Sequence, residues 1–228
     1  MPDGTINVHE LFTSIQGESS WSGMACTFVR LQGCPLRCHY CDTAYAFREG
    51  STFSLDEVVT NVLESNVELV QITGGEPLAQ KNCFPLIAQL ADHGMTVLVE
   101  TSGACDMTLC DPRSHLIVDI KTPHSGAANS FLELNYDRLT KNDEVKFVLS
   151  NREDFEWAVQ RTKEKELRDR VAVVHFSPAM PQCANEEVIG CAGLDPKQLA
   201  HWIIEEAPWA HLQLQLHKFI WPPSMRGV

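Results

Sequence analysis

Basic residues are scarce in this chain. Eighteen lysines and arginines stand against 30 aspartates and glutamates, a formal net charge of −12 with a pI of about 5.1. That balance argues against duplex nucleic acid as the main partner, because such binders carry a basic face; it leaves room for a locally basic pocket. Long apolar runs are also missing. None approaches the roughly 18 residues that cross a bilayer, so no membrane association is expected. The beginning of the sequence lacks a positive segment followed by an apolar stretch, so no secretory signal is expected, and the expected location is the cytoplasm. There is no internal repeat and no low-complexity segment. The cysteines number nine; an odd count in a reducing compartment argues against a disulfide framework. What remains is ordinary for a soluble globular protein: 228 residues, 44% hydrophobic and 21% charged, read as one domain over 1–228.

Short β-rich runs alternate with helical stretches. Ala25–Leu31, Glu68–Thr73, Met95–Glu100, Leu116–Ile120, Glu144–Leu149 and Val171–Phe176 read as strands, and the alternating Leu212–Leu216 as a half-exposed one. Ser54 and Glu57 form a capping-box pattern opening a helix to about Ser65, and Ser150 and Glu153 form another, opening a helix to about Glu166. A helix reaches about His93 with Gly94 as its stop, and Asp195-Pro196 begins one more. Ser125–Asp143 is irregular. Strand–helix alternation predicts a parallel sheet with crossover helices. Polar, Gly- and Pro-bearing segments follow the strands, on the rim where such folds build their sites.

The densest chemistry is Gly33-Cys34-Pro35-Leu36-Arg37-Cys38-His39-Tyr40-Cys41-Asp42-Thr43. Its spacing is C-x3-C-x2-C. Thiolates suit zinc or an iron–sulfur cluster. A structural zinc site wants a fourth ligand, which His39, His9 or a distant cysteine could supply. Three cysteines on one loop can instead hold three irons of a cubane and leave the fourth open, whereas ordinary electron-transfer clusters use four. The other cysteines (26, 83, 105, 110, 183 and 191) read as buried or loop residues.

With Tyr40 before Cys41, the loop resembles the radical S-adenosylmethionine (SAM) signature. Gly74-Gly75-Glu76-Pro77 resembles the superfamily's GGEP motif, which meets the SAM amino group. Glu10–Glu18, Phe28–Pro35, Cys41-Asp42-Thr43, Gln71–Pro77, Val99–Gly103, Val118–Lys121, Val145–Val148 and Leu216–Phe219 extend the resemblance nearly end to end, to the 7-carboxy-7-deazaguanine synthase (QueE) family.

That resemblance implies an incomplete (β/α) barrel of about six core parallel strands, usually a homodimer. It implies a lyase that turns 6-carboxy-5,6,7,8-tetrahydropterin into 7-carboxy-7-deazaguanine and ammonia, in queuosine-type biosynthesis. The cofactors would be a [4Fe–4S] cluster on Cys34, Cys38 and Cys41, SAM, and Mg2+ on Thr43. Reductive cleavage of SAM would need an external one-electron donor such as a flavodoxin or ferredoxin. SAM would meet Tyr40, Asp42, Gly75, Glu76, Asp119, Ile120, Lys121 and Ser177. The pterin would meet Ile15, Gln16, Gly17, Arg30 and Thr73, with Glu100, Ser102 and Pro223 on the same rim. The chain departs from members that end soon after His-Lys-aromatic, because Ser224–Val228 continue past Pro223. The competing enzyme reading is a small radical SAM activase that installs a glycyl radical on a partner protein.

Overall fold

The computed structural model describes residues 4–222 and 225–228. In chain order the elements are β1 (Thr5–Ile15), β2 (Ala25–Leu31), β3 (Ser51–Ser54), α1 (Leu55–Glu64), β4 (Leu69–Gly74), α2 (Cys83–Asp92), β5 (Thr96–Thr101), β6 (His115–Asp119) and β7 (Glu144–Leu149). They continue as α3 (Arg152–Glu164), α4 (Leu167–Arg170), β8 (Val173–Pro178), α5 (Pro196–Glu206), β9 (His211–Leu212) and α6 (His217–Ile220). Among the described residues the strands form one sheet in the order β3-β1-β2-β4-β5-β6-β7-β8-β9. From β2 to β9 all neighbours are parallel; β1 is antiparallel to β2, and β3 to β1. This is the expected incomplete barrel: six full parallel strands, a two-residue seventh, and the antiparallel pair β1 and β3 added at the first edge.

Alternation along the strands sorts the side chains into two layers. Val29, Leu31, Val70, Ile72, Val99, Val118, Val145 and Phe147 join the main core with the buried faces of the helices. The opposite face reads, from floor to rim, Cys26-Phe28-Arg30 on β2, Leu69-Gln71-Thr73 on β4, Leu98-Glu100 on β5, Ile117-Asp119 on β6 and Glu144-Lys146-Val148 on β7. The apolar members at the floor form a separate small cluster, Cys26, Phe28, Leu69, Leu98 and Ile117. Above that plug the interior turns polar.

The capping box at Ser54 is present: its side chain accepts from the Glu57 backbone at 3.2 Å and the Glu57 carboxylate accepts from the Ser54 backbone at 2.7 Å. Three readings need correction. The second capping box does not form: Asn151 caps α3 by accepting from the Asp154 backbone, and the Asp154 carboxylate takes the backbone N–H of Ser150, one residue before the cap. The strand expected over Leu212–Leu216 shrinks to His211–Leu212, because Gln213 and Gln215 reach across the barrel gap to Glu18. Ile15 ends an eleven-residue strand, β1, that the sequence reading did not anticipate.

Candidate functional site

A cavity of about 260 Å³ opens at the C-terminal ends of the parallel strands and is walled by residues from every one of them up to β8. Cys34, Cys38 and Cys41 all face it from the loop after β2. Backbone bonds hold that loop on three sides: Gly33 N to Ala46 O at 2.9 Å, Glu76 N to Gly33 O at 2.9 Å, and His39 N to Ser125 O at 2.9 Å. Gly75 must be glycine for the loop to sit so close, since a Cβ there would lie 2.3 Å from Gly33 O and 2.6 Å from Cys34 Cβ. Burial pushes all three thiols up, Cys41 to about 11, with the Lys121 ammonium pulling the other way. A metal held there would take the thiolates and displace their protons.

Below the rim lies a charged lattice centred on Lys146. Its ammonium donates to Glu100 Oε1 at 2.6 Å and to Glu18 Oε2 at 2.7 Å, and lies 3.9 Å from Asp119. Glu100 Oε2 also accepts from Gln71 at 2.8 Å and Thr73 at 3.2 Å, and Gln71 accepts from Gln16. Lys121 donates to Asp119 Oδ2 at 2.8 Å. Burial works against the Lys146 charge, yet Glu100, Glu18 and Asp119 hold its pKa well above the usual lysine value. Burial would raise Glu18, but Lys146, Gln215 and His217 outweigh it and bring the carboxyl down to about 2.

At the mouth, Arg30 Nε donates to Glu10 Oε1 at 2.7 Å, and Tyr45 donates to the same oxygen at 3.2 Å. Among the described residues Glu10 takes only Nε, so the two terminal nitrogens of the guanidinium are left for a ligand. Arg226 stacks over the Tyr45 ring at 4.1 Å. Asp42 accepts from Thr43 at 2.8 Å and from Lys218 at 2.6 Å. Partial desolvation at the cavity mouth would raise the Asp42 carboxyl, but Lys218, Thr43 and Arg30 hold it well below the usual carboxylate range.

The end of the chain straps the barrel gap. Leu216 N donates to Gly17 O at 2.9 Å, Ser19 N donates to Gln213 at 3.0 Å, and Gln213 and Gln215 both donate to Glu18, at 2.9 and 2.8 Å. His217 packs on Gly17 so closely that a Cβ there would stand 2.1 Å from Nδ1.

The cavity thus gathers Ile15, Gln16, Gly17, Arg30, Tyr40, Asp42, Thr43, Thr73, Gly75, Glu100, Ser102, Asp119, Lys121 and Ser177 with the three cysteines. Glu76 and Ile120 are not on its wall. Glu76 is wholly buried, and its oxygens are taken by Thr101 at 2.7 Å, the Ser102 backbone at 2.8 Å, the Ser102 hydroxyl at 2.5 Å and the Leu78 backbone at 3.1 Å. It fastens the GGEP turn to the end of β5. Pro223 lies outside the described residues. Sequence reasoning missed Glu10, Glu18, Gln71, Lys146, His217 and Lys218 as site residues. A charged or amide side chain inside an otherwise apolar strand, as in Glu144-Val145-Lys146-Phe147-Val148, was the available signal.

Two observations test whether the residues fit the implied cofactors. Tyr40 Oη and Asp119 Oδ1 are buried with no hydrogen-bond partner among the described residues, and both residues face the cavity beside the cysteines. A polar ligand in the cavity would supply the partners they lack. The soft three-thiol donor set suits a cluster with one open iron. The Thr43 hydroxyl, with its hydrogen given to Asp42, suits a hard cation.

Comparison with known proteins agrees. The radical SAM superfamily model matches residues 28–187. A 7-carboxy-7-deazaguanine synthase from Koribacter versatilis is 42% identical, covering 98% of this chain and 100% of its own. One from Chlorobaculum tepidum is 39% identical over 99% of each. QueE from Escherichia coli shares the fold, with a TM-score of 0.74 at 22% identity, covering 93% of this chain and 95% of that one. The activase alternative gains nothing from these relatives.

Proposed function

Because the chain belongs to the 7-carboxy-7-deazaguanine synthase family of the radical SAM superfamily, we propose that it converts 6-carboxy-5,6,7,8-tetrahydropterin to 7-carboxy-7-deazaguanine and ammonia by ring contraction. Loss of ammonia accounts for the whole change in composition, so turnover needs no net oxidant. The observation that carries this reading is that three thiols from one loop and an arginine fork open onto one cavity.

Cys34, Cys38 and Cys41 would hold the cluster. When bound, the cluster and SAM supply the one-electron chemistry that takes a hydrogen from the substrate and returns it. Asp119, Lys121, Ser177, Tyr40, Asp42 and the Gly75 backbone receive SAM; Glu76 and Ile120 support it from behind the wall. Glu10 holds Arg30 by Nε and leaves the terminal fork for the substrate carboxylate, a pairing of planar donors with planar acceptors. Gln16, Gln71, Thr73 and Glu100 offer fixed donors and acceptors to the pterin edge, and Lys146 holds Glu100 in place through its hydrogen bond to Oε1. Ile15 and Gly17, under the 213–217 strap, and Ser102 complete the pocket. Thr43 would hold Mg2+, which would supply positive charge to the substrate carboxylate. The enzyme works as a cytoplasmic homodimer, reduced by a flavodoxin- or ferredoxin-type donor.

The test is anaerobic reconstitution with iron and sulfide, then incubation with the tetrahydropterin, SAM and a reductant, with product identified by mass spectrometry. The deazapurine is expected at many turnovers per SAM. Cleavage of SAM without any deazapurine would sink the assignment.

A further inference from the structure

We propose that Lys218 is a positioning residue for the divalent cation: its ammonium fixes Asp42, and Asp42 fixes the direction in which the Thr43 hydroxyl presents its lone pairs. The inference rests on Thr43 being the magnesium ligand. Lys218 Nζ donates to Asp42 Oδ2 at 2.6 Å, with only 11% of the lysine side chain exposed although Asp42 is 44% exposed. The other oxygen, Oδ1, accepts the Thr43 hydroxyl at 2.8 Å. A hydroxyl has one hydrogen and two lone pairs. With the hydrogen committed to Asp42, only acceptor sites remain for the cavity, and these are what a magnesium ion takes. Released from Asp42, the hydroxyl would rotate and its hydrogen would compete for the same space.

The link spans 176 residues, so only closure of the chain's end over the site creates it. The adjoining turn also places the pterin loop, through Leu216 N on Gly17 O and His217 against Gly17. One short element thereby sets the substrate loop and the cation ligand together. Charge alone predicts the opposite outcome: an ammonium beside a cation site repels the cation, so removing it would tighten binding. The sign of the change therefore decides between positioning and simple repulsion.

The experiment uses the reconstituted enzyme with the tetrahydropterin and Mn2+ as a spin-active replacement for Mg2+. Free Mn2+ is read by electron paramagnetic resonance, with and without substrate. Lys218→Met is expected to weaken substrate-dependent Mn2+ binding about tenfold, as loss of a partner behind a metal ligand does, and Lys218→Arg to restore most of it. Unchanged or tighter Mn2+ binding in Lys218→Met, at full iron content, overturns the proposal. If Lys218→Met does not load iron, Asp42→Ala tests the same link from its other end, with the same loss expected and the same refutation. Wild-type enzyme that binds no Mn2+ with substrate, or binding that Thr43→Val leaves intact, removes the Thr43 assignment itself and the proposal with it.

Discussion

Replacing Lys146 by Met removes the cation at the centre of the buried lattice while keeping its length. Three carboxylates, Glu18, Glu100 and Asp119, would then share one interior with Lys121 as the remaining ammonium. Coulomb's law at an effective dielectric of about 20 gives roughly 6 kcal/mol for each of the two short contacts, most of it offset by the cost of burying the ions. The net follows better from Glu18: its fall from 4.5 to about 2 corresponds to about 3 kcal/mol. That agrees with the roughly 3–5 kcal/mol lost when one partner of a buried pair is removed. For a chain of this size a loss of about 3 kcal/mol lowers Tm by about 6–12 °C. The pH dependence has a definite sign. A depressed carboxyl stabilises the fold above its unfolded pKa, and that contribution is lost as pH falls through the folded one, here between about 4.5 and 2. In the variant, burial without the ammonium raises Glu18, so it protonates in the folded state. The gap between wild type and variant should therefore be widest near neutrality and narrow as pH drops below about 4.5. Thermal unfolding of both proteins by circular dichroism across that range is the assay. A gap under about 1 kcal/mol at neutral pH, or one that widens on acidification, would refute the account of Lys146 as the obligatory counter-ion.

Two further outcomes follow from the mouth of the site. Arg30→Ala should leave substrate-free SAM cleavage intact and lower kcat/KM for the tetrahydropterin by about 10–100-fold, the worth of a charge-assisted fork; equal loss of both activities in coupled assays would make Arg30 structural. Gly17→Ala should cost about 1–3 kcal/mol by overpacking, since its Cβ meets His217 Nδ1 at 2.1 Å. His217→Ala in the same chain should recover most of that stability in urea unfolding, and a strictly additive pair would show that the clash is not the cause.

Much of the site was legible because it is local. The cysteine loop, Asp42-Thr43 and Gly74-Gly75 are contiguous in the chain, and the strands feeding them carry continuous apolar runs. Arg30 could be placed because it sits on the strand that leads into the loop. Glu76 misled for the opposite reason: the motif gives its position but not the direction of its carboxylate, which the Thr101 and Ser102 donors turn away from the cavity. Leu212–Leu216 misled because alternation reports which side chains share a face, not whether the backbone finds a neighbouring strand. Gln213 and Gln215 do share a face, but what they meet is a carboxylate across the gap.

The sequence by itself determined the three-cysteine loop, the parallel order of strand and helix, and the rim on which the candidate site is built, since each depends on residue type and short spacing. Tertiary structure alone decided the rest. Lys146 finds Glu18 across 128 residues, Gln215 finds Glu18 across 197, and Lys218 finds Asp42 across 176. Such contacts exist only once the sheet has curled and the end of the chain has closed over it. The partner of a buried charge is chosen by proximity in the fold, and no local pattern along the chain records that distance.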